Sequence, residues 1–229
     1  MAARLHYPTL ILLTYRNMLH PLTSALSDGW LARRQASAGG FTLLELMVTV
    51  AIVAIIGAFA VPSFQTMIQA NRTRTVASEL MATLNLARSE AARRGQPVSV
   101  CRSSNGSSCA SSGTGWDSGW IAFVNEDAAS EGAAVARDDG ELLLQARQDL
   151  PARITVRPNS NFTNGITFLR TGLVWGLGTG TFAICANGEL NKSQAILVIA
   201  TRSVLATDSD NNGIPEKGDG SNLQNCESP

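Results

Sequence analysis

Histidine is nearly absent from this chain, which contains only two, at positions 6 and 20. A histidine-based catalytic triad and a histidine-ligated metal site are therefore excluded for the residues after His20. The sequence also contains no G-x-S-x-G string, no phosphate-binding P-loop and no G-x-G-x-x-G string. These absences argue against an enzyme, and we expect a protein that assembles or binds rather than catalyses.

An excess of positive charge is missing as well, because 18 Lys and Arg residues are matched by 18 Asp and Glu residues. Residues 1–40 hold four arginines and one aspartate, so the remainder carries 14 basic and 17 acidic groups. A net acidic balance in residues 41–229 does not favour a general nucleic-acid binder.

One long apolar run dominates the N-terminal part of the sequence. From Phe41 to Val61 there are 21 residues, and Glu45 is the only charged one. A helix of this length crosses roughly 30 Å of hydrocarbon. Arg33 and Arg34 precede the run and favour a cytoplasmic N-terminal end, which places the residues after the run outside the cytoplasm. The sequence therefore predicts a protein that crosses the membrane once.

Glu45 requires an explanation, because a carboxylate inside a bilayer costs on the order of 2.5 to 3.5 kcal/mol. One interpretation is that Glu45 lies near the membrane surface and that its carboxylate snorkels to the interface. The other is that it pairs with a positive group supplied by a partner. Composition alone leaves both interpretations open.

The string GFTLLE at 40–45, followed by the apolar run and Pro62, resembles the class III signal and N-terminal helix of type IV pilins and type II secretion pseudopilins. The resemblance implies that a prepilin peptidase cuts between Gly40 and Phe41, and that Phe41 is then N-methylated. It also implies that Glu45 pairs with the terminal ammonium of a neighbouring subunit during assembly. The implied partners are other pilin or pseudopilin subunits, first in the inner membrane and then in a pilus or pseudopilus, with the C-terminal domain in the periplasm.

The implied leader, residues 1–40, is long for such a family. Its own short apolar run, Leu10 to Leu13, is too short to span a membrane. Translation from Met18 instead of Met1 would leave a leader of 23 residues, and the sequence does not decide between the two starts.

The helical pattern continues past Pro62 without the hydrophobicity of a membrane span. Apolar residues recur there at spacings of three and four: Val76, Leu80, Leu84, Ala87 and Ala91. Gly95 and Pro97 end the pattern. We predict one helix from about Thr42 to Arg94, with a transmembrane and assembly half over 41–61 and an amphipathic half over 62–95.

Residues 96–229 predict a periplasmic, β-rich globular domain with a C-terminal tail. Short β-favouring runs separated by Gly, Ser, Asn and Asp clusters lie at 98–101, 120–124, 154–156, 166–169, 181–185 and 196–200. The predicted fold class is α+β, with the long N-terminal helix packed on a mainly antiparallel β-sheet domain. The polar stretches 103–118 and 125–141 are predicted to be surface loops.

Four passages of this domain resemble the sheet of minor pilins of the FimT, FimU and GspH type. They are GWIAFVNED at 119–127, ITFLRTG at 166–172, GTFAICANG at 180–188 and ILVIATRS at 196–203. The resemblance implies a subunit at or near a filament tip that helps to initiate or cap assembly. Three alternatives remain: a type II secretion pseudopilin, a pilus-tip protein that binds DNA for natural transformation, and a periplasmic binding protein that never polymerises.

The DNA-binding members of this group carry a Gly-Arg-x-Arg string after the last long strand. The aligned residues here run from Thr201 to Val204, and only Arg202 matches the string. One of the two phosphate-contacting charges is therefore missing, and DNA is not the expected partner.

Four cysteines remain after residue 40: Cys101, Cys109, Cys185 and Cys226. An even number of cysteines suits an oxidising periplasm and allows three pairings. We predict Cys101 with Cys109, which closes a Ser-rich loop, and Cys185 with Cys226, which ties the tail to the sheet. A zinc site is the competing interpretation, but the paired C-x2-C spacing is absent.

The tail contains a loop with the spacing of calcium ligands. Asp208, Asp210 and Asn212 occupy positions 1, 3 and 5, a glycine follows at position 6, and Asp219 occupies position 12. The stretch also resembles the aspartate-rich repeats of calcium-binding extracellular modules. Asp and Asn are common in ordinary turns as well, so the sequence predicts either weak calcium binding or a plain polar turn, and no other cofactor.

Overall fold

The predicted helix forms as one continuous element. The computed structural model describes residues 40–113, 115–128, 135–176 and 178–229, and helix α1 spans Leu43–Arg94. It continues through Pro62 and ends before Gly95, whose φ of +66° is the left-handed conformation that glycine adopts easily. The predicted leader before Gly40, with both candidate start positions, lies outside the described residues.

The described residues after the helix form eight strands and one short 3₁₀ helix, Ser160–Phe162. The strands are β1 Val98–Arg102, β2 Gly119–Val124, β3 Leu143–Gln148, β4 Ile154–Pro158, β5 Gly165–Phe168, β6 Gly180–Ala186, β7 Glu189–Ile199 and β8 Arg202–Leu205. Every neighbouring pair is antiparallel, in the orders β3-β2-β1-β5 and β4-β6-β7-β8. The predicted α+β class is confirmed, with the strands divided between two four-stranded sheets.

Each of the six predicted β runs coincides with a strand of the structure, although the runs 166–169 and 196–200 extend one residue beyond β5 and β7, and β7 begins seven residues earlier than predicted. Strands β3 and β8 are additional elements that the sequence pattern did not indicate. The described parts of the two predicted loops, 103–118 and 125–141, contain no named helix or strand.

The main hydrophobic core lies between the second half of α1 and both sheets. The five apolar residues of the predicted helix face are fully buried, and β1, β2, β5, β6 and β7 are among the strands that supply the opposing side chains. Trp120 on β2 is fully buried as well, and its indole Nε1 donates a hydrogen bond to Thr83 Oγ1 of α1 at 3.0 Å. This hydrogen bond joins the helix directly to the sheet within the core.

A cluster of ion pairs lies at the C-terminal end of α1. Glu90 forms salt bridges of 2.6 Å with both Arg93 and Arg94. Hydrogen bonds from these two guanidinium groups lower the pKa of Glu90 to about 2. The arginines also lie where positive charge suits the helix dipole.

Each sheet also has a smaller apolar cluster on its outer face, because successive residues of a strand point to opposite sides. On β6, Phe182 and Ile184 belong to the main core, whereas Ala183 and Cys185 pack against Leu223 and Cys226 of the tail. On β1 and β2, the corresponding outer residues are Cys101, Ile121 and Phe123. The two outer clusters contain all four cysteines.

Candidate functional site

The first turn of α1 is organised around Thr42 and Glu45. The backbone N–H of Glu45 donates to Thr42 Oγ1 at 3.1 Å, and the N–H of Leu46 donates to the Thr42 carbonyl at 3.1 Å. Thr42 is therefore the N-cap of the helix, and Glu45 occupies the third helical position. The spacing Thr-x-x-Glu is that of a capping box, a signal in the sequence that the prediction overlooked.

The Glu45 carboxylate is exposed, and no ion pair joins it to any other described residue. Gly40 and Phe41, the predicted cleavage and methylation positions, precede the helix outside any helix or strand and are exposed. These three residues lie on one short segment, so their association is a property of local sequence and not of tertiary folding.

The apolar half of α1 is uncovered along its whole length. Phe41 is 82% exposed, and even the least exposed large side chain of the run, Val48, is 50% exposed. The helix has the length and the composition of a membrane span. The exposed stretch continues past residue 61, where the transmembrane half was predicted to end. Phe64, Met67 and Ile68 are also exposed, and the first buried residue of α1 is Thr73.

Both disulfides of the structure fasten a segment of irregular chain onto the outer face of a sheet. Cys101 on β1 is bonded to Cys109, and Cys185 on β6 is bonded to Cys226. These are the pairings that the sequence favoured, and none of the four cysteines is free. The first bond fixes the Ser-rich loop, and the second fixes the tail.

The tail brings three carboxylates together. Side-chain oxygens of Asp208, Asp210 and Glu216 lie within 4.8 Å of one another. The prediction placed Asp219 in this group, but its Oδ1 instead accepts hydrogen bonds from Ser221 N at 2.9 Å and Ser221 Oγ at 2.6 Å. Glu216 was not predicted, although it is the only other acidic residue between Asp210 and Asp219.

Glu216 is held firmly in its position. Its backbone N–H donates to the Thr207 carbonyl at 3.0 Å, and its side chain is only 9% exposed. The carboxylate Oε1 accepts bonds from Ser209 N at 2.7 Å and from Ser209 Oγ at 2.5 Å. These bonds lower the pKa of the Glu216 carboxyl, so the group is ionised at neutral pH.

Arg202 lies exposed at the start of β8, opposite Ile199 of β7. Lys192 does not supply a neighbouring positive charge, because it lies towards the other end of β7. The arginine that approaches the β7–β8 turn is Arg88, which donates to the Thr201 carbonyl. The Arg88 guanidinium also lies 5.3 Å from the centre of the Phe168 ring, and burial lowers its pKa.

Comparison with known proteins gives two family matches and two similar structures. The family model described as type II transport protein GspH matches residues 76–203, and the prokaryotic N-terminal methylation motif matches residues 36–61. The similar structures are two crystal forms of the type IV minor pilin FimU from Pseudomonas aeruginosa strain PAO1.

The first form has 22% sequence identity and a TM-score of 0.49, covering 68% of this chain and 96% of that chain. The second has 22% identity and a TM-score of 0.46, covering 67% of this chain and 98% of that chain. No curated protein matches the chain.

Proposed function

Because this chain belongs to the GspH family of pilins and pseudopilins, we propose that it is a minor subunit of a type IV pilus that helps to initiate or cap the filament. The observation that carries the proposal is the uncovered apolar half of α1 with Glu45 as its single charge. An exposed apolar surface of this extent marks a contact with a membrane or with other proteins. In the proposed function, the membrane covers this surface before assembly and neighbouring subunits cover it afterwards.

Before assembly, the membrane covers the apolar half-helix. The 21 residues from Phe41 to Val61 suffice to span the hydrocarbon layer. Arg33 and Arg34 would hold the N-terminal end in the cytoplasm, which leaves the two-sheet domain in the periplasm. The two disulfides suit that oxidising compartment.

After assembly, neighbouring helices replace lipid around the same segment. Cleavage by a prepilin peptidase between Gly40 and Phe41 would create a new ammonium group at Phe41, which is then N-methylated. The Glu45 carboxylate has no positive partner among the described residues of its own chain. A carboxylate in an apolar environment is stabilised by a nearby opposite charge, so Glu45 of one subunit and Phe41 of the next would fix the axial position of both.

Deletion of the gene in its own bacterium tests which filament the protein serves. We expect the deletion strain to lose most of its surface pili and to secrete type II substrates at the normal level. Electron microscopy of sheared pili and an assay of secreted enzymes measure the two results. The alternative is a GspH-type pseudopilin, which the description of the matched family favours, and it predicts loss of secretion with normal piliation.

A role as a DNA-binding tip protein is less well supported. Arg202 is the only residue that matches the expected pair of arginines. Arg88, the nearest arginine to its turn, is occupied by the Thr201 carbonyl and the Phe168 ring. The net acidic balance after residue 40 also opposes binding to a polyanion.

The full chain in detergent is expected to bind duplex DNA only non-specifically, with a Kd of about 10⁻⁴ M or weaker at physiological salt. A fluorescence titration over a series of salt concentrations measures this affinity and its salt dependence. Arg153→Ala, which removes another exposed arginine, is the matched control for Arg202→Ala. Micromolar binding that Arg202→Ala abolishes and Arg153→Ala leaves intact would establish the DNA-binding role instead.

A further inference from the structure

The loop from Asp208 to Glu216 gathers negative charge that nothing in the described part of the chain neutralises. The carboxylate oxygens of Asp208, Asp210 and Glu216 lie within 4.8 Å of one another, and no described arginine or lysine forms a salt bridge with any of them. Like charges at this separation repel each other. The arrangement therefore costs stability unless a cation occupies it.

The backbone of the loop holds this arrangement in place. Asp208 Oδ1 accepts from Asn212 N at 3.0 Å, and Asp208 Oδ2 accepts from Gly213 N at 2.8 Å. Gly213 has a φ of +87°, which is a conformation that other residues adopt only with strain. The chain consequently turns sharply after Asn212 and brings Glu216 back towards the two aspartates.

A second and independent observation comes from the buried oxygen of Glu216. The Oε1 atom already accepts three hydrogen bonds, from Ser209 N, Ser209 Oγ and Asp210 N. The Oε2 atom is buried and has no hydrogen-bond partner, on a side chain that is only 9% exposed. A buried polar atom without a partner carries its full desolvation penalty. An ion bound in the cluster would supply the missing partner.

We propose that Asp208, Asp210 and Glu216 bind one calcium ion. All of the donors are carboxylate oxygens, which are the ligands that hard divalent cations prefer. Calcium binds oxygen at 2.3–2.6 Å, so two oxygens on one ion lie up to about 5 Å apart, and a group that fits within 4.8 Å meets this limit. Magnesium binds at 2.0–2.1 Å in strict octahedral geometry, so two of its ligand oxygens lie at most about 4.2 Å apart, which is a tighter limit than the 4.8 Å within which this group lies.

The proposed ligand set differs from the one that the linear spacing predicts. Glu216 takes the role of the closing carboxylate, and Asp219 is not among the three carboxylates whose oxygens lie within 4.8 Å of one another. Asn212 orients Asp210 within the loop, since its Nδ2 donates to Asp210 Oδ2 at 2.8 Å.

Calcium in this loop would stabilise contacts beyond the loop itself. The Gly213 carbonyl accepts a hydrogen bond from Lys192 N of β7 at 2.9 Å. The Lys192 carbonyl in turn accepts one from Thr73 Oγ1 of α1 at 3.3 Å. The ion would therefore act together with the Cys185–Cys226 disulfide to hold the tail against the domain and against the first buried turn of the helix.

Thermal unfolding of the full chain in detergent, after removal of metal with EGTA, tests this proposal. We expect an affinity in the range of extracellular calcium sites, 10⁻⁴–10⁻³ M. Calcium chloride at ten times the Kd should then raise the Tm by about 3 to 6 °C, with a smaller rise for the same concentration of magnesium chloride. Glu216→Gln should weaken calcium binding at least tenfold and reduce the rise to about 2 °C or less, whereas Asp219→Asn should retain the full rise.

Glutamine keeps the size of Glu216 and an oxygen for the bonds from Ser209, so this variant is expected to fold, and its Tm in EGTA checks that it does. A wild-type chain whose Tm is the same in calcium and EGTA would overturn the proposal. A Glu216→Gln variant that keeps the calcium-dependent rise, or an Asp219→Asn variant that loses it, would overturn the ligand assignment. An equal rise with magnesium would overturn the choice of calcium.

Discussion

Glu45→Ala should leave the protein cleaved and stably inserted in the inner membrane but exclude it from filaments. The substitution removes the negative charge while keeping the helix, since alanine is the best helix former. A neighbouring Phe41 ammonium would then lie in an apolar environment without a partner. An uncompensated charge there costs on the order of 2.5 to 3.5 kcal/mol, which corresponds to about a hundredfold loss of incorporation.

Immunoblots of sheared filaments and of inner membranes measure the two pools of protein separately. Glu45→Gln removes the charge with little change in size and should behave like Glu45→Ala. Gly40→Val serves as a contrasting control, because a branched side chain at the cleavage site should leave the precursor uncut. Wild-type incorporation of Glu45→Ala would mean that Glu45 snorkels to the membrane interface, and a wild-type chain absent from every filament would favour the periplasmic binding protein.

Removal of the Cys185–Cys226 disulfide is expected to lower the free energy of unfolding by about 4 kcal/mol, against about 2.5 kcal/mol for Cys101–Cys109. The difference arises because the Cys185–Cys226 bond closes a loop of 41 residues, whereas the Cys101–Cys109 bond closes a loop of 8. The longer loop restricts the unfolded chain more strongly. The Cys185–Cys226 bond is therefore expected to contribute more to the stability of the domain than the Cys101–Cys109 bond does.

Paired Cys→Ala variants measure these losses by chemical denaturation of the full chain in detergent. Alanine is preferred to serine because Cys101, Cys185 and Cys226 are buried, and a buried hydroxyl would add a penalty of its own. Non-reducing peptide mapping checks the pairing directly. Free thiols, a peptide that joins Cys101 to Cys185, or a larger loss from the shorter loop would contradict this prediction.

The long helix was predictable because its signals are local. The bounds Leu43–Arg94 differ by a single residue from those expected from the apolar run, the spacing of Val76 to Ala91 and the Gly95 stop. Each signal lies within a few residues of the structure that it determines. The string at 40–45 is equally local, and it indicated the family before any fold was known.

Strand β3 was missed because its own residues do not favour a strand. The sequence LLQARQ contains no β-branched residue, and none of its six residues is fully buried. It is a strand because it pairs with β2 at the edge of its sheet, from Gly119 opposite Gln148 to Phe123 opposite Leu143. Strand β8 is only four residues long and depends in the same way on β7.

In the acidic loop, too, the sequence pattern indicated the residues that are close in the chain and missed the one that only the fold brings near them. Spacing selected Asp208 and Asp210, which are close in the chain and which the structure places in one group of carboxylates. It then selected Asp219 by counting to position 12, whereas the turn at Gly213 and the bond from Glu216 N to the Thr207 carbonyl bring Glu216 into the group. A count along the sequence assumes one loop geometry, and the packing of this tail imposes another.

By itself, the sequence determined the apolar first half of the helix, the single charge within it and the buried face of the second half. These properties follow from composition and periodicity over short distances. The tertiary structure alone decided that the strands form two sheets, that each disulfide lies on the outer face of its sheet, and that Glu216 joins Asp208 and Asp210. The physical reason is that pairing and burial depend on residues far apart in the chain, whose contacts no local pattern encodes.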